Sequence, residues 1–236
     1  MKLLAVDTSS KTASVALVSE EKLLGEFTVQ TKFTHSQSLM PMVDQMLKQA
    51  GVSITEIDGF AASMGPGSYT GLRIGIAAVK AFGFALNKPV YGVETLMAMT
   101  DQAKDKMGII LALIDARRDR VYVAGIQRDA QGERVVLPQQ AMAIEDLIRW
   151  IDEQTDPVYL LGEGTMRYYE ELNTAQPVPN FLSKRYMTPT ARTIAWLALD
   201  RLMAGEVADP DRLIPCYLAK TQAERELEER RKKDEN

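Results

Sequence analysis

Apolar and polar positions along the chain follow one order twice. Residues 3–6 (LLAV) form a short apolar run closed by the polar Asp7, Thr8, Ser9 and Ser10. Residues 13–18 (ASVALV) and 25–30 (GEFTVQ) follow, with a charged turn between them. Runs of this length bounded by turn residues predict a strand, a polar loop and a hairpin. The same order returns at 111–115 (LALID), 121–126 (VYVAGI) and 133–137 (ERVVL). Asp7 and Asp115 stand 108 residues apart, as do Ala13 and Val121, which predicts a duplicated hairpin unit held in one register.

Between the copies the period changes to that of helices. Thr34 or Ser36 caps a helix ending at Ala50, with Leu39, Met42, Val43, Met46 and Leu47 at helical spacing and Gly51 as its stop. Residues 59–63 read as a buried strand, a glycine-rich helix follows, and Val90 to Gly92 make another strand, an order that implies a parallel crossover. The second half repeats this more loosely: a helix over 144–153, a strand over 158–162, a Pro-rich loop, and a helix over 190–205. From Lys220 the chain is almost wholly charged and reads as a solvated tail.

The formal charge of −4 over 236 residues gives no basic surplus, which disfavours a free-standing nucleic-acid binder. Cys216 is the only cysteine, so no internal disulfide forms, and a reducing, cytoplasmic setting is expected. Residues 1–10 reach an aspartate too soon for a signal-peptide core, and no apolar run approaches the ~20 residues that span a bilayer. No membrane partner is expected.

Asp7 and Asp115 close equivalent predicted strands, where open α/β sheets place ligands. Facing carboxylates hold Mg²⁺ or supply a general base; alternatively, each caps the turn after its strand. The loop 64–71 (MGPGSYTG) lacks the Lys-Ser/Thr pair of a P-loop, but a glycine turn before a helix can present backbone N–H groups to an anion, with Ser68, Tyr69 and Thr70 as extra donors. The helix after it is apolar nearly all round. Gly71, Gly75, Ala78, Phe82 and Ala85 share one stripe, flanked by Leu72, Ile76, Val79, Gly83 and Leu86, with Ile74, Ala77, Ala81 and Phe84 on the far side. Something must cover it, either a partner or the chain's own second half. His35, the only histidine, reads as a surface or cap residue.

The segments LAVDTSS, SMGPGSYTGLRIGIAAVKAFGFAL, PVYGVETLMAM, LIDARRDRVYVAG and PCYLAK together resemble the TsaB (YeaZ) family of tRNA threonylcarbamoyladenosine biosynthesis proteins. The resemblance runs over nearly the whole chain except the charged tail. It implies an α/β, duplicated ribonuclease-H-like fold of the actin, hexokinase and Hsp70 (ASKHA) type. Two subdomains over 1–105 and 106–218 and a tail over 219–236 are expected, with the helix 190–205 packing back on the first subdomain.

The resemblance further implies a non-catalytic subunit that pairs with TsaD, the threonylcarbamoyl transferase, and recruits the ATPase TsaE. It implies a homodimer when alone and contact with tRNA only through the complex. No intrinsic cofactor is expected, ATP/ADP and metal belonging to partner subunits or their interface. The expected partner surface is Leu39, Met42, Val43, Met46, Gly71, Leu72, Gly75, Ala78, Val79 and Phe82. A vestigial nucleotide or anion site is expected at Asp7, Thr8, Ser9, Gly65, Gly67, Ser68 and Asp115. The metal-binding H-x-x-x-H pair of the catalytic relative falls here on Thr95 and Met99, neither a replacement for imidazole. Its nucleotide-binding glycines have only Gly162 and Gly164 as a counterpart. The alternative reading is a small-molecule phosphotransferase using Asp7 and Asp115 with Mg-ATP.

Overall fold

The computed structural model describes residues 1–208 and 210–218; the charged tail lies outside them. Strands β1 (Lys2–Asp7), β2 (Ala13–Ser19) and β3 (Leu23–Val29) form an antiparallel meander. Helix α1 (His35–Ala50) leads to β4 (Gly59–Gly65), which pairs with β1 in parallel. After α2 (Tyr69–Leu86), β5 (Val90–Glu94) extends the sheet, giving the order β3-β2-β1-β4-β5. Helix α3 (Thr95–Asp101) connects to the second half.

There β6 (Gly108–Arg117), β7 (Arg120–Asp129) and β8 (Gly132–Ala143) repeat the meander. Helix α4 (Ile144–Asp152), β9 (Val158–Leu161), the short helices α5 (Glu163–Arg167) and α6 (Tyr169–Leu172) and β10 (Asn180–Phe181) follow. The sheet order is β10-β9-β6-β7-β8. Two mixed five-stranded sheets with the same order and connection pattern constitute the duplicated ribonuclease-H-like fold. Helix α7 (Ala191–Met203) closes it.

Each sheet is sandwiched. On the outer face of the first, Leu39, Val43 and Met46 of α1 and Ile76 and Val79 of α2 pack on Leu4, Val6, Val15 and Leu17. Burying an aliphatic side chain of this size stabilises by about 1.5–3 kcal/mol, so this layer alone fixes both helices. On the inner face, Ile194, Ala195 and Ala198 of α7 meet Leu3, Ala5 and Ala16. The inner face of the second sheet is covered by α3, whose Leu96 and Met99 join Ile110, Ala112 and Ala124. Each half thus lends a helix to the other's sheet, so the two sheets share one interior.

The boundaries of α1 follow from its ends: the Gln37 Oε1 atom accepts the Thr34 N–H at 3.0 Å, and Gly51 stops the helix in the left-handed conformation. The duplicated register is off by one residue from the reading by spacing. Leu4 and Val6 face α1 and α2, and their counterparts facing α4 and α6 are Leu111 and Leu113, an offset of 107. Asp7 pairs across the hairpin with Ser14, but Asp115 pairs with Val121 and not Tyr122. Side chains alternate along a strand, so the one-residue slip puts Asp7 and Asp115 on opposite faces of their sheets.

Candidate functional site

A cleft of about 710 Å³ opens between the two halves. Ser9, Ser10, Lys11 and His35 line it from the first half, with Gly67, Ser68, Tyr69 and Thr70 at the start of α2; Asp115, Arg117 and Glu163 line it from the second. From the segment 213–218, Cys216, Tyr217 and Leu218 line it as well. The Cys216 N–H donates to the Met64 carbonyl at 2.6 Å, and Gln139 on β8 donates to Cys216 Sγ at 3.4 Å, so this strap ties β4 to the opposite sheet.

Of the residues expected at an anion site, Ser9, Gly67, Ser68 and Asp115 line this cleft, whereas Asp7, Thr8 and Gly65 do not. Asp7 is fully buried; it accepts the Ser9 N–H at 3.1 Å and the Ser9 hydroxyl at 3.0 Å, and burial pushes its carboxyl above the ordinary range. Asp115 likewise accepts the N–H two residues on, that of Arg117 at 2.8 Å, and takes the Tyr168 hydroxyl at 3.2 Å. Both aspartates therefore cap the turn after their strand, and they do not face each other as a metal- or proton-handling pair.

The glycine loop is closed on its own chain. Ser68 N–H donates to the Ser9 carbonyl at 2.7 Å, Gly71 N–H donates to Ser68 Oγ at 3.2 Å, and the Thr8 hydroxyl donates to the Gly71 carbonyl at 2.7 Å. A Cβ at Gly67 would stand 2.5 Å from the Ser9 carbonyl oxygen. The Ser68 and Gly71 N–H groups are thus already paired, and residues 8–9 fill the space beside Gly67. Gly162 and Gly164 are similarly pressed against Leu113, and Thr95 and Met99 are buried in the shared interior.

Eight of the ten residues expected to meet a partner are buried, and the other two are half-buried. Leu39, Met42, Val43, Met46, Leu72 and Val79 are buried, Gly71 and Gly75 are buried against β1 and its loop, and Ala78 and Phe82 pack on the same core. A Cβ at Gly71 would overlap the Thr8 carbonyl oxygen, and one at Gly75 would lie 2.5 Å from Thr8 Oγ1. The small-residue stripe thus admits the chain's own strand end. Helix α2 is long and apolar enough to cross a membrane by length and composition, but this packing makes it a core helix on one side.

What α2 shows outward is Tyr69, Thr70, Arg73, Ala77, Ala81, Phe84 and Ala85, with Phe84 90% exposed. Beside it, α1 presents Met40, 47% exposed, and Pro41. The spacing had put Ala77, Ala81 and Phe84 on the far side of the helix; it gave no sign that this side stays uncovered. At the helix start, the Arg73 guanidinium lies 4.0 Å over the Tyr69 ring and its Nε donates to Tyr217 Oη at 2.9 Å. The contact with Tyr217, 144 residues away, has no signal in the sequence.

The family model for TsaD, tRNA N6-adenosine threonylcarbamoyltransferase, matches residues 27–226. A protein named TsaB from Buchnera aphidicola subsp. Baizongia pistaciae is 32% identical, covering 92% of this chain and 97% of its own length. The chain belongs to the TsaB (YeaZ) family. The TsaB protein of Bacillus subtilis is 29% identical across 95% of this chain and 96% of its own. The solved YeaZ structure from Pseudomonas aeruginosa superposes with a TM-score of 0.77 at 29% identity, covering 92% of this chain and 99% of that one. These TsaB relatives are named as tRNA threonylcarbamoyladenosine biosynthesis proteins.

Proposed function

We propose that this chain acts in the formation of threonylcarbamoyladenosine beside the tRNA anticodon, as a non-catalytic subunit that dimerises with TsaD and recruits TsaE. The observation that carries the reading is the outer face of α2, where Ala77, Ala81, Phe84 and Ala85 form an exposed apolar run. Exposed apolar surface of this kind marks protein–protein contact. The TsaD family model matches residues 27–226 of this chain, which supports reading an equivalent helix pair of TsaD as the counterpart surface. The buried positions of Asp7, Thr95 and Met99 and the pairing of the Ser68 and Gly71 N–H groups within the chain support a scaffold over a phosphotransferase. The decisive experiment is reconstitution of tRNA modification from TsaD and TsaE with and without this chain. Product formation independent of the chain refutes the reading. Calorimetry with ATP on the isolated chain tests the phosphotransferase alternative, which requires a binding signal.

A further inference from the structure

Arg73 is the fixed cation of an uncharged helix face. Helix α2 contains no acidic residue, and its other cation, Lys80, reaches the Leu213 carbonyl at 3.4 Å. The Arg73 side chain is exposed, yet its geometry is set from two sides. The Tyr69 ring lies beneath it, the Tyr217 hydroxyl accepts from its Nε, and the two rings stack at 4.9 Å with 27° between their planes. Its terminal nitrogens, Nη1 and Nη2, have no hydrogen-bond partner among the described residues. A guanidinium held this way is a planar fork already positioned for two parallel hydrogen bonds, with little rotamer freedom left to lose.

Resting on the docking read above, we propose that Arg73, oriented by Tyr69 and Tyr217, is the specificity anchor of the α2 face and receives a carboxylate side chain of the TsaD subunit. The reason is desolvation. A partner covering Ala77, Ala81 and Phe84 also removes water from Arg73, one turn away, and a charge buried without a counter-charge strongly opposes association. Carboxylate geometry matches the fork. An RNA phosphate offers the same charge, but a phosphate backbone leaves the apolar surface from Ala77 to Phe84 uncovered, so the protein carboxylate is the occupant. Tyr217 belongs to the strap that carries Cys216 and its contact to Gln139, so the anchor also links the docking face to the far sheet.

The test uses the full chain and TsaD of the same organism, with dissociation constants from calorimetry for wild type, Arg73→Ala, Arg73→Lys, Tyr217→Phe and Ala81→Arg. Each variant's melting temperature is compared with wild type to establish folding. The expected result is a loss of about tenfold or more for Arg73→Ala, no recovery in Arg73→Lys, a smaller loss for Tyr217→Phe, and no binding by Ala81→Arg. Wild-type affinity of Arg73→Ala while Ala81→Arg fails overturns the anchor and leaves the docking face standing. Full recovery in Arg73→Lys overturns the fork. Unchanged affinity of Ala81→Arg refutes the docking face itself. A loss confined to tRNA binding by the assembled complex assigns Arg73 to phosphate and overturns the proposal.

Discussion

Gly71→Ala distinguishes a glycine that serves the chain's own packing from one kept for a partner, because the two roles predict opposite signs in the isolated protein. On a helix face that only an external partner touches, alanine raises helix propensity and stabilises by about 1 kcal/mol. Here the new Cβ meets the Thr8 carbonyl oxygen, a backbone atom in a loop held by the Ser68–Ser9 and Thr8–Gly71 hydrogen bonds, which has no room to retreat. Overpacking of this kind costs about 1–3 kcal/mol, and weakening the Thr8–Gly71 bond adds roughly 1 kcal/mol. After the propensity gain, the net loss is about 2 kcal/mol. For a domain of this size that is a fall in Tm of roughly 4–8 °C. The assay is thermal and urea unfolding of the isolated chain followed by circular dichroism, with Ala77→Gly on the exposed face as a control for propensity alone. An unchanged or raised Tm for Gly71→Ala refutes the packing assignment.

Phe84→Ser changes stability of the isolated chain by no more than about 0.5 kcal/mol, since the side chain is 90% exposed, whereas the proposed docking predicts association with TsaD weakened about tenfold or more by loss of an apolar contact; calorimetry and melting curves check the two halves separately. Asp7 carries a raised carboxyl pKa, caused first by burial. The unfolded chain therefore releases this proton at lower pH than the native one, so stability falls as pH rises above the ordinary carboxylate value of about 4 toward the native pKa. Unfolding of wild type and Asp7→Asn at several pH values shows the variant gaining relative stability across that window; a constant difference contradicts the assignment. Burial, followed by the neighbouring Glu94 charge, pushes the Cys216 thiol up. Its alkylation at pH 8 is slower in the folded chain than in urea, and equal rates contradict the shielding of the Cys216 thiol.

Much of the architecture was legible along the chain. Alternating and continuous apolar runs located the strands of both meanders, and the caps at Thr34 and Gly51 bounded α1, because these signals are local and depend on neighbours within one turn. The repeat of strand, loop and hairpin carried the duplication. Its register did not survive to the residue: matching aspartates suggested an even offset, while the faces of Leu4, Val6, Leu111 and Leu113 give an odd one. The length of β8, twelve residues, also exceeded its apolar core of 133–137, since pairing with β7 extends a strand through residues of weak propensity.

The sequence by itself determined that α2 is apolar nearly all round and that small residues line one stripe of it. Only the tertiary structure decided which side is covered. A helical wheel reports the composition of each face, and a glycine opens the same gap for a neighbouring strand as for a foreign helix. The answer came from Thr8, sixty-three residues upstream, whose carbonyl fills that gap. Once the stripe is assigned to β1, the opposite face is the one the proposed docking uses. The residues that mark it, Phe84 by its exposure and Arg73 by its contact with Tyr217, are defined by distances in space that no spacing along the chain encodes.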